Sequence, residues 1–549
     1  MDTGWQKFSS QTFFKLCSGL MLVVFVPVLF CVLVIGNNMD YWNDAKQTTL
    51  LFSTQVLGIF ALLGAAAFLG VLYLCRNICL NRKYNLIVNL ILFGTFLGIY
   101  FLNTMVSREI AYRVPADASM VGEYGRCAGI GEPLEYCVYL SIYPNNIPRS
   151  YFLGRICRTV LERGNFPYVI DYAWIQVGCA LVTIAGFFSC LTVKKLTQKL
   201  LPVIVCFLTA FFLVECSALK MIPYTDAYGV SFSIMSVYFY FLSRDSDNKE
   251  SGEYRFMNGR FSEGRRYIFF VLALICAGMG GIIKPSIYIM VIVIMIMEFL
   301  RLRSKAWLYL LVDLLLVIAM MYGIGKYKEH MIEYLGLEYN KEISSDWQYF
   351  FLLGLNDTTT GVYNPEDAAI FGEFQYESRT VRIKVELERA FERLKEKGFP
   401  GAPYFFLKKL VMVFNDATFG WDSTWAESYF EGNDVLASGT KRTEVLRSIY
   451  WDGRWIGAYF TMRQLVWYVI IIGLPGICLM KKRNMEYDVL LLSCLGIIFY
   501  QMLFEARSRY LFVFLPLLIV ASICGYEQYV NLVCGFVHKK VRLKNEEIS

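Results

Sequence analysis

QMLFEARSRYLFVFLPLLIV, residues 501–520, sets Glu505, Arg507 and Arg509 directly between two long apolar runs. A soluble core does not tolerate three ions so placed, because a buried charge without a partner is costly. The end of a membrane helix, where hydrocarbon gives way to headgroups, does. The rest of the chain agrees with that reading. Of its 549 residues, 56% are hydrophobic, 16% aromatic and only 18% charged, and mean hydropathy is +0.45. Ordinary globular domains carry about 25% charged and about 45–50% apolar residues. The excess falls in blocks of about 17–25 residues, the length needed to cross a hydrocarbon layer about 30 Å thick. The expected fold is an all-α polytopic membrane protein.

Twelve stretches qualify as spans: 13–35, 50–74, 84–102, 168–190, 200–217, 227–243, 267–283, 286–300, 306–324, 464–480, 487–504 and 509–526. The first is too long for a cleaved signal peptide and lacks a small-residue cleavage motif, so it reads as a retained helix. Lys and Arg gather where even-numbered spans end: Arg76, Arg82 and Lys83; Lys194, Lys195 and Lys199; Arg244 through Arg266; Arg301, Arg303 and Lys305; Lys481, Lys482 and Arg483; and the tail from Lys539. Basic links stay in the cytoplasm. Both termini are therefore expected inside, in a bacterial plasma membrane, with the odd-numbered exits outside.

This threading divides the chain into three N-terminal helices (1–102), a first large extracytoplasmic loop (103–167), central helices (168–324), an extracytoplasmic loop domain (325–463) between spans nine and ten, C-terminal helices (464–526) and a cytoplasmic tail (527–549). Within the loop domain, RTVRIKVELERAFERLKEK (379–397) has the mixture of charge and apolar positions of a surface amphipathic helix. KGFPGAP then breaks it, YFFLKKLVMVF reads as an interfacial helix, and the aromatic, acidic NDATFGWDSTW follows. No repeat of 20–50 residues is apparent.

Several chemistries have little support. The formal net charge of +7 lies in short links between apolar runs, a topology signal that speaks against nucleic acid as a partner. The 16 cysteines include no CxxC pair, and Cys17, Cys31, Cys179, Cys206, Cys276 and Cys494 fall inside apolar runs, where Cys is a small hydrophobe. Cys127 and Cys137 share one loop, and pairing and free thiols both remain open. His330 and His538 are the only histidines, too few for a histidine-rich zinc site or a Ser-His-Asp triad. Neither a dinucleotide fingerprint nor a phosphate loop is present.

What remains is a set of polar groups that the threading brings from distant parts of the chain to the outer face. They are Asp117 in RVPADASM; Tyr143, Asn145, Asn146 and Arg149 in SIYPNNIPRSY; Asp226 in PYTD; Lys284 in IIKPS; and Glu505, Arg507 and Arg509. Each has a plain alternative. The arginines could snorkel, Lys284 could occupy a simple turn, Asp226 could cap a helix and Asp117 could form a turn. Glu215 and Asp313, in or near spans, are expected to pair or to face the bundle interior. Taken together, arginine forks suit phosphate oxygens, and a carboxylate near a hydroxyl suits general-base work. That is the chemistry of transfer to or from an anionic lipid.

In their order, Asp117, YPNN (143–146), PYTD (223–226), the Lys284-Pro285 hairpin, KKLVMVFNDATFGW (408–421) and EARSRYLFVFLP (505–516) resemble the glycosyltransferase type C superfamily. The branch they most resemble is related to protein mannosyltransferases and lipid A aminoarabinose transferases, over residues 103–526. The resemblance implies an enzyme that takes a sugar from a polyprenyl-phosphate donor and passes it, with inversion, to an extracytoplasmic acceptor: a cell-surface glycan, teichoic acid, lipid or protein. It implies Asp117 as catalytic base and Arg507, Arg509 and Lys284 on the donor phosphate. Glu505 would orient the arginines, while Asp226, Tyr143, Asn145 and Asn146 would shape the sugar or acceptor pocket. Two features depart from the pattern. Extra N-terminal spans precede the Asp117 loop, and no adjacent acidic pair stands there, Glu123 being the next carboxylate. A divalent cation is thus the one cofactor left open, and the residues point to no other metal. A transporter or flippase of a lipid-linked saccharide, and a polysaccharide polymerase or ligase, share much of the same logic.

Overall fold

The computed structural model describes residues 3–35, 50–110, 116–134, 137–164, 169–244, 259–300, 307–373, 377–421, 440–451, 453–480 and 484–548. Among these residues there is no strand, only an isolated bridge between Cys79 and Lys199. The helices, in chain order, are α1 Thr3–Val34, α2 Thr54–Leu74, α3 Asn85–Ile110, α4 Ala116–Ile130, α5 Val138–Ile142, α6 Ile147–Glu162, α7 Val169–Thr197, α8 Leu200–Ala210 and α9 Thr225–Ser243. They continue with α10 Gly259–Ile283, α11 Ile289–Leu300, α12 Trp307–Tyr334, α13 Trp347–Gly354, α14 Pro365–Glu373, α15 Arg379–Phe414, α16 Lys441–Tyr450, α17 Ile456–Gly473, α18 Met485–Leu503 and α19 Leu515–Ile548.

Nine described helices are long and apolar enough to cross a membrane, and Leu200–Glu215 and Pro285–Leu300 are shorter apolar helices. Each of the twelve expected stretches coincides with a helix, although several ends move. Helix α3 runs on to Ile110 and α12 to Tyr334, and α17 begins at Ile456, so some residues assigned to loops are helical. Hydropathy alone could not see these extensions, because helices continue past the apolar core wherever neighbours still satisfy their polar faces.

The arrangement is a bundle wrapped around its last span. The apolar window of Ser508–Phe536 is 94% buried, against 6% for Trp307–Tyr334 at the periphery. Without a hydrophobic drive between helices in lipid, close backbone approach holds such bundles together. Here a Cβ on Gly525 would come within 2.0 Å of the Gly473 carbonyl oxygen, and one on Gly476 within 2.3 Å of the Gly525 carbonyl oxygen. Two carboxylates inside the bundle are paired or hydrogen-bonded, as a low-dielectric setting demands. Glu215 accepts from Asn103 Nδ2 at 2.7 Å and Thr183 Oγ1 at 3.2 Å, and Asp313 meets Arg266 at 3.4 Å and Arg244 at 3.5 Å. Both carboxylates face the interior, as expected.

The two long links fold against each other rather than trailing. Ser345 N–H donates to Ile142 O at 2.7 Å, and Leu134 N–H to Leu335 O at 3.0 Å. The amphipathic stretch 379–397 is helical, and α15 kinks at Gly398 and Phe399, which leave helical geometry where KGFPGAP was expected to break it. Its second limb, YFFLKKLVMVF, ends with Leu410, Val411, Val413 and Phe414 buried in the bundle. Of the NDATFGWDSTW segment, residues 422 onward lie outside the described residues. Cys127 and Cys137 are free thiols.

Candidate functional site

The site begins with the link between α18 and α19. Helix α18 ends at Leu503, and Arg507 is extended, with φ −144° and ψ 151°, before a 3-10 turn over Ser508–Phe514 leads into α19. Two successive backbone N–H groups of this link are held from the loop layer: Glu505 N–H donates to Phe350 O at 2.9 Å and Ala506 N–H to Gly361 O at 3.0 Å. Arg507 Nε lies 3.7 Å from Glu505 Oε1, so the expected ion pair forms. The Arg509 guanidinium lies 5.7 Å from the Tyr224 ring centre and 5.3 Å from that of Tyr510.

Lys284 reaches the same place from another element. Proline disfavours helical geometry in the residue before it, so Pro285 stops α10 and leaves Lys284 extended, with φ −141° and ψ 108°. The buried ammonium makes an ion pair with Asp226 and lies 4.3 Å from the centre of the Tyr510 ring. Asp226 does not cap α9; the capping position belongs to Tyr224, and Asp226 falls in the first turn. Lys284, expected on the donor phosphate, and Asp226, expected to shape the pocket, thus bind each other.

Asp117 stands in the first turn of α4 with its side chain exposed. Its field reaches Tyr139, whose phenol is held well above its usual pKa chiefly by burial, with Tyr224 and Asp117 adding to the rise. Tyr143, raised chiefly by burial, also feels both Asp117 and Glu505, which brings the first loop and the α18–α19 link together. Asn146 Nδ2 donates to Tyr139 Oη at 2.9 Å, so this side chain supports the tyrosine. Arg149, 1% exposed, stacks on the Tyr228 ring at 3.6 Å. Burial lowers its pKa to about 10, which leaves it charged at neutral pH.

A cavity of about 800 Å³ opens beside these groups. Its polar end is formed by Asn145, Tyr224, Lys284, Glu505, Arg509 and Tyr510. Thr225, Ser286, Lys328, Ser345 and Asp346 also line the cavity, and its long walls are apolar: Ile289, Ile292, Val293 and Ile296 on α11, Leu492, Leu495, Phe499 and Leu503 on α18, and Phe13, Cys17 and Leu20 on α1. Of the expected site residues, Asn145, Lys284, Glu505 and Arg509 line this cavity. Asp117, Tyr143, Asn146, Asp226 and Arg507 stand outside its lining. Among the described residues, no three His, Cys, Asp or Glu side chains gather closely enough to hold a metal ion, and Glu123 turns to Arg126 at 3.5 Å rather than to Asp117.

Sequence reasoning missed the groups that hold the link. Lys409 Nζ donates to Gly354 O at 2.6 Å, Phe504 O at 2.7 Å and Met502 O at 3.0 Å, and Ser508 Oγ donates to Asp416 Oδ2 at 2.6 Å. A signal was present. The hexapeptides NDTTTG (356–361) and NDATFG (415–420) share one pattern, and both adopt positive φ at their fifth and sixth residues: 54° and 80° at Thr360 and Gly361, 53° and 73° at Phe419 and Gly420. The first turn supplies the Gly361 carbonyl and the second the Asp416 carboxylate.

Helices that cross a membrane and a cavity with one charged end and long apolar walls define a multi-pass integral membrane protein. The chain belongs to the family described as conserved hypothetical integral membrane protein, whose model matches residues 6–530. No curated protein and no solved structure matches it.

Proposed function

We propose that this chain is a membrane glycosyltransferase of the type C kind, which moves a sugar from a polyprenyl-phosphate donor to an extracytoplasmic acceptor. The observation that carries the reading is the cavity, whose charged end at Lys284, Glu505 and Arg509 continues into apolar walls on α11, α18 and α1. From Ile289 to Ile296 alone the wall extends about 10 Å at the rise of a helix. An anionic headgroup on a hydrocarbon chain fits both ends, whereas a soluble nucleotide sugar would leave the apolar length empty.

The reading includes a twelve-span threading with both termini in the cytoplasm and the site on the outer face of a bacterial plasma membrane. In it, Arg509 and Arg507 hold the donor phosphate, and charge-assisted hydrogen bonds of this kind contribute on the order of 1.5–3 kcal/mol each. Asp117 takes the proton of the acceptor hydroxyl as the acceptor oxygen bonds to the anomeric carbon. The bond from that carbon to the phosphate oxygen breaks on the opposite side, which inverts the centre and releases polyprenyl phosphate. Tyr139 and Tyr143 remain protonated at neutral pH and orient hydroxyl groups around Asp117. The acceptor is a surface glycan, teichoic acid, lipid or protein.

The test is sugar release from a panel of labelled polyprenyl-phosphate sugars, with an acceptor extract, by membranes containing wild type or Asp117→Asn. Turnover of one donor by wild type alone supports both the class and the base. Turnover by both variants removes Asp117 from the chemistry. If no donor turns over while a lipid-linked saccharide crosses the bilayer of vesicles containing the chain, the protein is a flippase instead.

A further inference from the structure

The two arginines of the link are separated only by Ser508, and no helix surrounds Arg507 to fix its direction. The residue between them makes a contact of its own. Ser508 Oγ donates to Asp416 Oδ2 at 2.6 Å. That same oxygen accepts from Gly420 N–H at 2.7 Å, while Oδ1 accepts from Thr418 N–H at 2.7 Å and Thr418 Oγ1 at 2.6 Å. With four donors on its two oxygens, this carboxylate is a fixed acceptor. The turn that carries it is rigid for the same reason.

On the other side, the first hexapeptide holds Ala506 through the Gly361 carbonyl. Asn356 Oδ1 ties this turn internally, accepting from Thr358 N–H at 2.9 Å and Thr358 Oγ1 at 2.6 Å. Lys409 joins the two turns. It lies on the limb that leads into the second and packs against the first so closely that a Cβ on Gly361 would come within 2.6 Å of its Cε. The link is thus gripped on both sides by copies of one turn, and the grip ends on the residue between the arginines.

We propose that Asp416, acting through Ser508, is a positioning residue that sets the spacing of Arg507 and Arg509 for a phosphate group, the two turns forming the jaws that hold the link. The inference rests on the reading that these arginines take a lipid phosphate, and it names the part of the fold that prepares them. A bidentate guanidinium contact is sensitive to angle as well as distance. Releasing Ser508 therefore loosens the anion site without removing a charge from it.

The experiment measures binding of dodecyl phosphate and of dodecanol to the full chain in detergent, for wild type, Ser508→Ala, Ser508→Thr, Asp416→Asn and Arg509→Ala, with thermal midpoints taken alongside. Ser508→Ala is expected to weaken dodecyl phosphate binding about tenfold, the loss of one well-placed hydrogen bond. Dodecanol affinity and the thermal midpoint should stay at wild-type values, and Ser508→Thr should restore phosphate affinity. Asp416→Asn should reproduce the loss, and adding Ser508→Ala to it should cost nothing more. Wild-type phosphate affinity in Ser508→Ala overturns the proposal, as does an equal loss for dodecanol. If wild type prefers dodecyl phosphate no more than dodecanol, and Arg509→Ala changes neither, the phosphate reading itself fails.

Discussion

Asp226 and Lys284, 58 residues apart in sequence, form an ion pair in which the side chains are only 5% and 9% exposed. The pair ties the first turn of α9 to the break between α10 and α11, at the charged end of the cavity. Lys284 is therefore neutralised before any ligand arrives, and the aspartate occupies the position that an anionic headgroup would otherwise compete for.

Breaking this pair should have opposite effects depending on which partner is removed. Lys284→Met leaves a buried carboxylate without its counter-ion and is expected to cost about 3–5 kcal/mol, while Asp226→Asn/Lys284→Met together should recover most of that loss. Asp226→Asn alone frees the ammonium, so dodecyl phosphate should bind several-fold tighter than to wild type. Thermal midpoints and binding isotherms of the three variants check both effects. Phosphate binding that is weaker in Asp226→Asn would show that the carboxylate supports the site instead of competing with it.

The helices were legible because a run of apolar residues of membrane length has few alternatives. The association of Glu505 with Arg507 was legible because the two are neighbours in the chain. The partnership of Lys284 and Asp226 was not, since it depends on where α9 stands against the α10–α11 break, and no local pattern encodes that contact. The same is true of Lys409, which reads as one of two adjacent lysines on an interfacial helix. Its three carbonyl acceptors exist only because α13 and α18 both end beside it. The twin hexapeptides were visible as text, but six residues carry meaning only once both are seen with the same positive φ pair.

The loop layer contains a group whose titration should mark the stability of the whole chain. Burial raises Glu386 to a pKa of about 7, opposed by Arg382 and reinforced by Asp346. Arg382 already donates to Glu342 O at 2.7 Å and Ser344 O at 2.5 Å. An acid whose folded pKa lies above its unfolded one binds more protons when folded, so its contribution is fully present below about pH 4.5 and falls as pH rises through about 7. Glu386→Gln should therefore raise the thermal midpoint at pH 8, by an amount corresponding to about 1–3 kcal/mol, and should come close to wild type at about pH 4. A difference that is the same at both values would assign the effect to packing rather than to the proton.

Topology can be read from native and introduced thiols together. Cys79 is exposed in the link after α2, which the threading assigns to the cytoplasm, while the Glu388 side chain is 61% exposed on the first limb of α15, assigned to the outside. An impermeant maleimide applied to intact cells, with sites resolved by mass spectrometry, should modify Glu388→Cys but not Cys79. Permeabilised cells should show both. Labelling of Cys79 alone in intact cells would invert the threading.

Arg149 offers a separation of stability from function. Its guanidinium is 1% exposed over the Tyr228 ring, and none of its three nitrogens makes a hydrogen bond of ordinary geometry. The Tyr228 hydroxyl donates instead to Trp174 O at 2.7 Å. A cation–π contact contributes about 2 kcal/mol when desolvated, less than the several kcal/mol that burying a charge costs. Yet its field reaches Asp226 and Tyr224 at the edge of the cavity, where positive charge helps to hold an anionic donor. Arg149→Met, similar in length and apolar, should therefore leave the thermal midpoint equal to or above that of wild type while lowering dodecyl phosphate affinity at least several-fold. Arg149→Lys should keep part of that affinity, because the charge survives although the flat stacking surface does not. A fall in midpoint with unchanged phosphate affinity in Arg149→Met would make the arginine a packing element of α6 against α9, with no part in the site.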